Sequence, residues 1–154
     1  MRYLLFFITL WLMPFCYAAD NTGLIHLSSD ANETLINGKT LDLTADLSSS
    51  ITPTKITIKS GYQRFEFISP NGQNFTNKAY LNAQRTDYKT PYQADMFISY
   101  DYRTCSKIVG EFYIYELDTQ TIPAQLALDF KQRCADKTEW LYGQIRINSD
   151  LSYP

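Results

Sequence analysis

The stretch Lys107-Ile-Val-Gly-Glu-Phe-Tyr-Ile-Tyr-Glu-Leu117 is dense in β-branched and aromatic residues. Ile122-Pro-Ala-Gln-Leu-Ala-Leu-Asp-Phe130 follows it and alternates apolar and other residues with period two. Between them lies the polar Asp118-Thr119-Gln120-Thr121. Strand, short polar loop, strand is the signature of a β-hairpin. Cys105 and Cys134 flank this unit, and the midpoint between them falls inside the polar loop. A hairpin folded there brings both cysteines to its open end. Phe112, Ile114, Leu126, Leu128 and Phe130 share one core face only if the register shifts by one residue. A β-bulge supplies such a shift, and it is expected near the cysteines.

Outward from the hairpin, the chain keeps reading as strands. Leu24–Ser28, Thr40–Thr44, Thr54–Lys59, Tyr62–Ile68, Lys78–Arg85, Met96–Tyr100 and Leu141–Ile147 carry alternating or short apolar patterns, separated by turn signals such as Asn37-Gly38 and Ser69-Pro70-Asn71-Gly72. No segment has a convincing helical period. The expected fold is all-β: an antiparallel β-sandwich or jelly-roll-like domain. At 45% hydrophobic and 15% aromatic residues, the chain is too apolar for a disordered one.

The first residues read differently. Arg2 precedes the apolar run Leu4–Met13, Pro14 breaks it, and Ala18-Ala19 offers small residues at a cut. That order matches a secretory signal peptide, and the run is too short for a membrane span. Residues 1–19 are therefore expected to be the leader, and 20–154 one β-rich domain exported to the periplasm or beyond. Without the leader, 13 basic face 16 acidic side chains, for a net charge of −3. A mixed-sign, mildly acidic surface argues against a nucleic-acid partner, and no later stretch would span a membrane. Cys16 leaves with the leader, and two cysteines in an exported chain suggest one disulfide, Cys105–Cys134. Two free thiols are the alternative, and a redox pair fits less well because the pair is not Cys-x-x-Cys.

Little in the sequence points to chemistry. His26 is the only histidine, which excludes a two-histidine metal site. No nucleophile-elbow, zinc-protease or phosphate-loop pattern occurs, and no cofactor or metal is expected. Asp30-Ala-Asn-Glu33 lacks the spacing of a calcium loop and reads as a solvated turn. Glu66, Glu111, Glu116 and Asp129 lie on expected strands, and paired carboxylates serve glycosidases. Asp129 interrupts an apolar strand beside Phe130 and reads as a buried acid satisfied by backbone or arginine, a structural role. Tyr88, Tyr92, Tyr100 and Tyr102 crowd around one expected strand, and exposed tyrosine suits glycan or protein surfaces.

Taken in order, Ser69-Pro70-Asn71-Gly72, Tyr80-x-x-Ala83-x-Arg85, Arg103-x-Cys105, Gly110-x-Phe112-x-Ile114, Asp129-Phe130-x-x-x-Cys134 and Gly143-x-Ile145-Arg146-x-Asn148-Ser149 span most of the chain after Thr40. This series resembles a family of bacterial secreted β-rich domains with one cysteine pair. The family usually has glycine before the tyrosine of the Tyr80 motif, where this chain has Asn77-Lys78-Ala79. The resemblance implies a β-rich fold, a Cys105–Cys134 bridge, and Arg85 and Arg146 as ion-pair partners for Asp129. It implies no activity. The expected function is a non-enzymatic binding module for a glycan or protein. A small cell-wall or glycan hydrolase and a secreted inhibitor of a hydrolase are the alternatives.

Overall fold

The computed structural model describes residues 22–152. The leader read over residues 1–19 lies outside them. Ten strands occur among the described residues: β1 (Gly23–Ser29), β2 (Thr40–Leu43), β3 (Leu47–Ile51), β4 (Lys55–Ser60), β5 (Gln63–Ile68), β6 (Ala79–Ala83), β7 (Asp95–Ser99), β8 (Ile108–Asp118), β9 (Gln125–Cys134) and β10 (Leu141–Ile147). They form a six-stranded sheet, ordered β2-β1-β10-β9-β8-β6, and a four-stranded sheet, ordered β3-β4-β5-β7. Strand neighbours are antiparallel throughout both sheets. The fold is an all-β sandwich, as the alternating patterns require.

The core lies between the sheets, and its centre is aromatic. Phe65 and Phe67 of β5 meet Phe112 and Phe130 of the facing sheet, with ring centroids 5.0 Å apart for Phe67–Phe112 and 6.1 Å for Phe65–Phe130. Tyr80 stacks on Phe112 at 4.8 Å. Offset and edge-on ring pairs add to the stabilisation from burial alone. Gly143 stands opposite Phe130 in the β9–β10 pairing. A Cβ at Gly143 would enter the Phe130 ring, so the missing side chain is what lets that ring lie against the strand.

The hairpin forms, but its register differs from the sequence reading. Ile108 pairs with Cys134, Phe112 with Phe130 and Ile114 with Leu128, whereas Leu117 pairs with Leu126. The register shifts between Ile114 and Glu116. The bulge therefore lies at the turn end of the hairpin, away from the cysteines. Its cause is the core: Ile114 and Leu117 are an odd number of residues apart, and both pack inward only if one residue is looped out. The turn is also longer than expected, because β9 begins at Gln125. Asp118 Oδ1 organises that turn by accepting the Gln120 and Thr121 amides.

With this register, Cys105 lies before β8 and folds back to reach the end of β9. The sulfurs of Cys105 and Cys134 are joined, with Cα atoms 5.2 Å apart. The Thr34 hydroxyl lies 3.4 Å from the Cys134 sulfur, tying the bridge to the β1–β2 connection. Asp30, Ala31 and Asn32 are exposed at a turn, as the sequence reading has them, but Glu33 is not. Glu33 is buried, and its Oε2 accepts the amides of Leu35 and Ile36 at 2.8 Å each. The carboxylate satisfies backbone donors that would otherwise be stranded as Leu35 and Ile36 enter the core.

Strand β3, Leu-Ser-Ser-Ser-Ile, has no counterpart in the sequence reading. Serine has no strong strand preference, and only Leu47 and Ile51 pack against the core.

Candidate functional site

The outer face of the six-stranded sheet follows directly from the registers. Alternate residues face solvent, so the partners line up in rows across the strands. One row runs Asp42, His26, Gln144, Asp129, Tyr113, Ala79. The next runs Ser28, Tyr142, Lys131, Glu111. Polar and aromatic side chains alternate along both rows.

Ion pairs fix these side chains in place. Lys131 Nζ lies 3.0 Å from Glu111 Oε1, its direct cross-strand partner. The same ammonium sits 5.2 Å from the Trp140 ring centre, and the Arg133 guanidinium lies 5.4 Å from it. Arg146 Nη1 donates to Asp129 Oδ1 at 2.8 Å and to the Leu128 and Ile145 carbonyls. Gln144 Nε2 reaches Asp129 Oδ2 at 3.5 Å. Tyr115 packs on Tyr113, with ring centres 4.5 Å apart, and lies under the Arg146 guanidinium. Burial, then the Asp129 charge and a hydrogen bond to Asp129, push the Tyr115 hydroxyl above its ordinary pKa. His26 Nδ1 lies 2.6 Å from Asp42 Oδ1 at the far end of the row.

Two depressions adjoin on this face. One of about 270 Å³ is lined by Leu81, Glu111, Tyr113, Asp129, Lys131 and Tyr142 among others. The second, about 300 Å³, is lined by His26, Ser28, Gln144 and, again, Asp129 and Tyr142. Asp129 and Tyr142 therefore form the shared wall. Glu111 and Asp129 both face the first depression, and each already engages a cation.

The four tyrosines singled out from sequence are not brought together. Tyr88 lies beside Lys107, with the ammonium 5.7 Å from its ring centre. Tyr92 is 83% exposed on a loop. Tyr100 packs against the core. Tyr102 packs on Tyr62 with its ring tilted and the ring centres 5.0 Å apart. Among the described residues no ring contact joins any two of the four. Their nearness in sequence reflects one strand end and the loops on either side of it.

Arg146 pairs with Asp129, but Arg85 does not. Arg85 Nη1 donates to the Cys105 and Ser106 carbonyls, and its guanidinium lies over Phe97. Topology explains the difference. Strand β8 separates β6 from β9, and the β6 residue in the row of Asp129 is Ala79, well before Arg85. Glu66 belongs to the other sheet, where Lys55 and Arg64 hold it.

Tyr113, Tyr115 and Tyr142 were missed as site residues, although the signal was available. Period two puts Phe112 and Ile114 inward and therefore Glu111, Tyr113 and Tyr115 outward. Among the described residues, no group of three or more His, Cys, Asp or Glu side chains could hold a metal ion. No helix among them is long and apolar enough to cross a membrane. No known protein family, curated protein or solved structure matches this chain.

Proposed function

We propose that this chain is a non-enzymatic, exported binding module whose ligand is a neutral glycan held on the outer face of the six-stranded sheet. The observation that carries this reading is the pair of adjoining depressions sharing Asp129 and Tyr142. A sugar ring offers an apolar C–H face and a rim of hydroxyls. Tyrosine rings suit the first, since they combine an apolar body with a polar tip. Fixed donors and acceptors side by side suit the second: Glu111 with Lys131 supplies both, Gln144 adds an amide, and Asp129 adds a carboxylate that Arg146 holds from behind. The charges on these residues cancel in pairs, so the ligand need bring none.

A glycan array, followed by calorimetric titration with the best binder, tests this. Tyr113→Ala and Tyr142→Ala should each weaken binding about tenfold, the scale of one good ring contact. Tyr88→Ala and Tyr92→Ala should leave it unchanged. Equal affinity in the first two variants would remove the glycan site from this face. A protein partner lost with Tyr113→Ala would replace the glycan by a protein ligand. Cleavage of the bound glycan by the purified protein would replace a binding module by a hydrolase.

A further inference from the structure

The outer face of the four-stranded sheet differs from its opposite number. Ser48 pairs with Lys59 and Ser50 with Thr57 across β3 and β4. Lys59 in turn pairs with Arg64, and Thr57 with Glu66, across β4 and β5. Ile56, Ile58, Phe65 and Phe67 are buried, so these alternate residues point outward. On β3, β4 and β5 the outward positions thus hold Lys55, Lys59 and Arg64 against one carboxylate, Glu66, in a chain of formal net charge −2; Asp95 has the same parity on β7, where it lines a separate depression with Arg64 and Glu66.

Two cations directly opposite one another on a sheet destabilise it. Lys59 and Arg64 are such a pair. Arg64 is drawn off to Glu66, at 2.5 Å, and over the Phe97 ring. Lys55 also binds Glu66, at 3.2 Å. Lys59 has no carboxylate within ion-pair distance among the described residues. Instead it borders a depression of about 240 Å³ with Ser48, Ser50 and Thr57. The arrangement is an ammonium among hydroxyl groups, beside a guanidinium. Hydroxyl and ammonium donors together are what oxyanions and sugar hydroxyls bind.

We propose that the outer face of β3, β4 and β5 is a second binding site, separate from the tyrosine face, that takes an anionic polysaccharide through Lys59, Ser48, Ser50 and Arg64. An extended polymer fits better than a single small anion. Lys55 and Lys59 lie four residues apart on one strand, or ~13 Å, so the cations address repeating charges along a chain. The three outward hydroxyls complement sugar hydroxyls between those charges. Nucleic acid fits less well, because among the described strand residues of this sheet's outer face Phe97 of β7 alone offers a ring, and two guanidinium groups already cover it.

The test is equilibrium binding of the whole exported protein to dextran sulfate, with dextran as the uncharged control. At low ionic strength the sulfated polymer should bind and the control should bind less, and added salt should abolish the difference. Lys59→Ala should weaken binding about tenfold, and Lys59→Arg should retain it. Ser48→Ala with Ser50→Ala should weaken it several-fold. Because Lys59→Ala relieves a like-charge contact, its melting temperature should not fall, which separates lost binding from lost folding. Tyr113→Ala should bind the sulfated polymer normally. The proposal is overturned by equal affinity in Lys59→Ala, by a loss shared with Tyr113→Ala, or by binding to anionic lipid vesicles but not to the polymer.

Discussion

Arg146 and Asp129 meet diagonally across the β9–β10 pairing, two residues out of direct register, with Nη1 2.8 Å from Oδ1. Diagonal neighbours on one sheet face are within reach of a long side chain. The pair is partly desolvated: the Arg146 side chain is 7% exposed and that of Asp129 is 23%. The guanidinium also donates to two backbone carbonyls, and the carboxylate also receives Gln144.

Asp129→Ala should therefore cost about 2–4 kcal/mol, because it takes a carboxylate counter-charge from a buried cation rather than deleting one exposed contact. Replacing both residues, with Arg146→Met, should cost less than the two single changes combined. Urea unfolding of the four proteins in the cycle measures this. Simple additivity would show that the two side chains act independently, with the carbonyls alone holding Arg146.

The Cys105–Cys134 bridge closes a sequence separation of 29 residues. In the chain-entropy view, a loop of that size stabilises by about 3–4 kcal/mol. Replacing both cysteines by serine should lower the unfolding free energy by roughly that amount. The loop includes the whole β8–β9 hairpin, whose inward rings anchor the core, so the hairpin should persist and the melting temperature should drop. Before reduction, the exported protein should present no thiol to an alkylating reagent. Two reactive thiols would refute the bridge.

Period two carried most of this fold. It is reliable wherever one face of a strand must be buried, because a slip of one residue turns every side chain over. Thus β4, β5 and β10 were legible to within a residue at either end, and β8 in extent but not in register, because its bulge is set by which residues the core takes in. Strand β3 was not, since its three serines carry no apolar signal and its place is set by pairing with β4. Glu33 was misread for a related reason. A glutamate reads as solvated until the backbone amides it must accept are known, and these depend on Leu35 and Ile36 entering a core formed by distant strands. The outer faces were half legible. Parity gives which side chains point outward, but only strand order shows that Tyr113, Asp129 and Gln144 share one row, or that Arg85 is too far from Asp129.

Two acids near the Phe97 ring should give opposite pH dependence. Asp95 is 2% exposed, and burial pushes its carboxyl above the ordinary value of 3.8, against the opposing pull of the Thr86 hydroxyl and nearby cations. Burial alone would also raise Glu66, but hydrogen bonds from Arg64 and Lys55 outweigh it and hold the group below its ordinary 4.5. A raised acid gives stability that is complete below its unfolded pKa and lost as pH rises through the folded value. A lowered acid gives stability that is present above its unfolded pKa and lost as pH falls through the folded value. Asp95→Asn should therefore melt higher than the parent at about pH 7, with the advantage fading toward about pH 3. Glu66→Gln should melt lower at about pH 7, and its deficit should fade over the same descent. Melting curves of the three proteins across that range decide it. Parallel curves would mean that neither acid differs between its folded and unfolded surroundings.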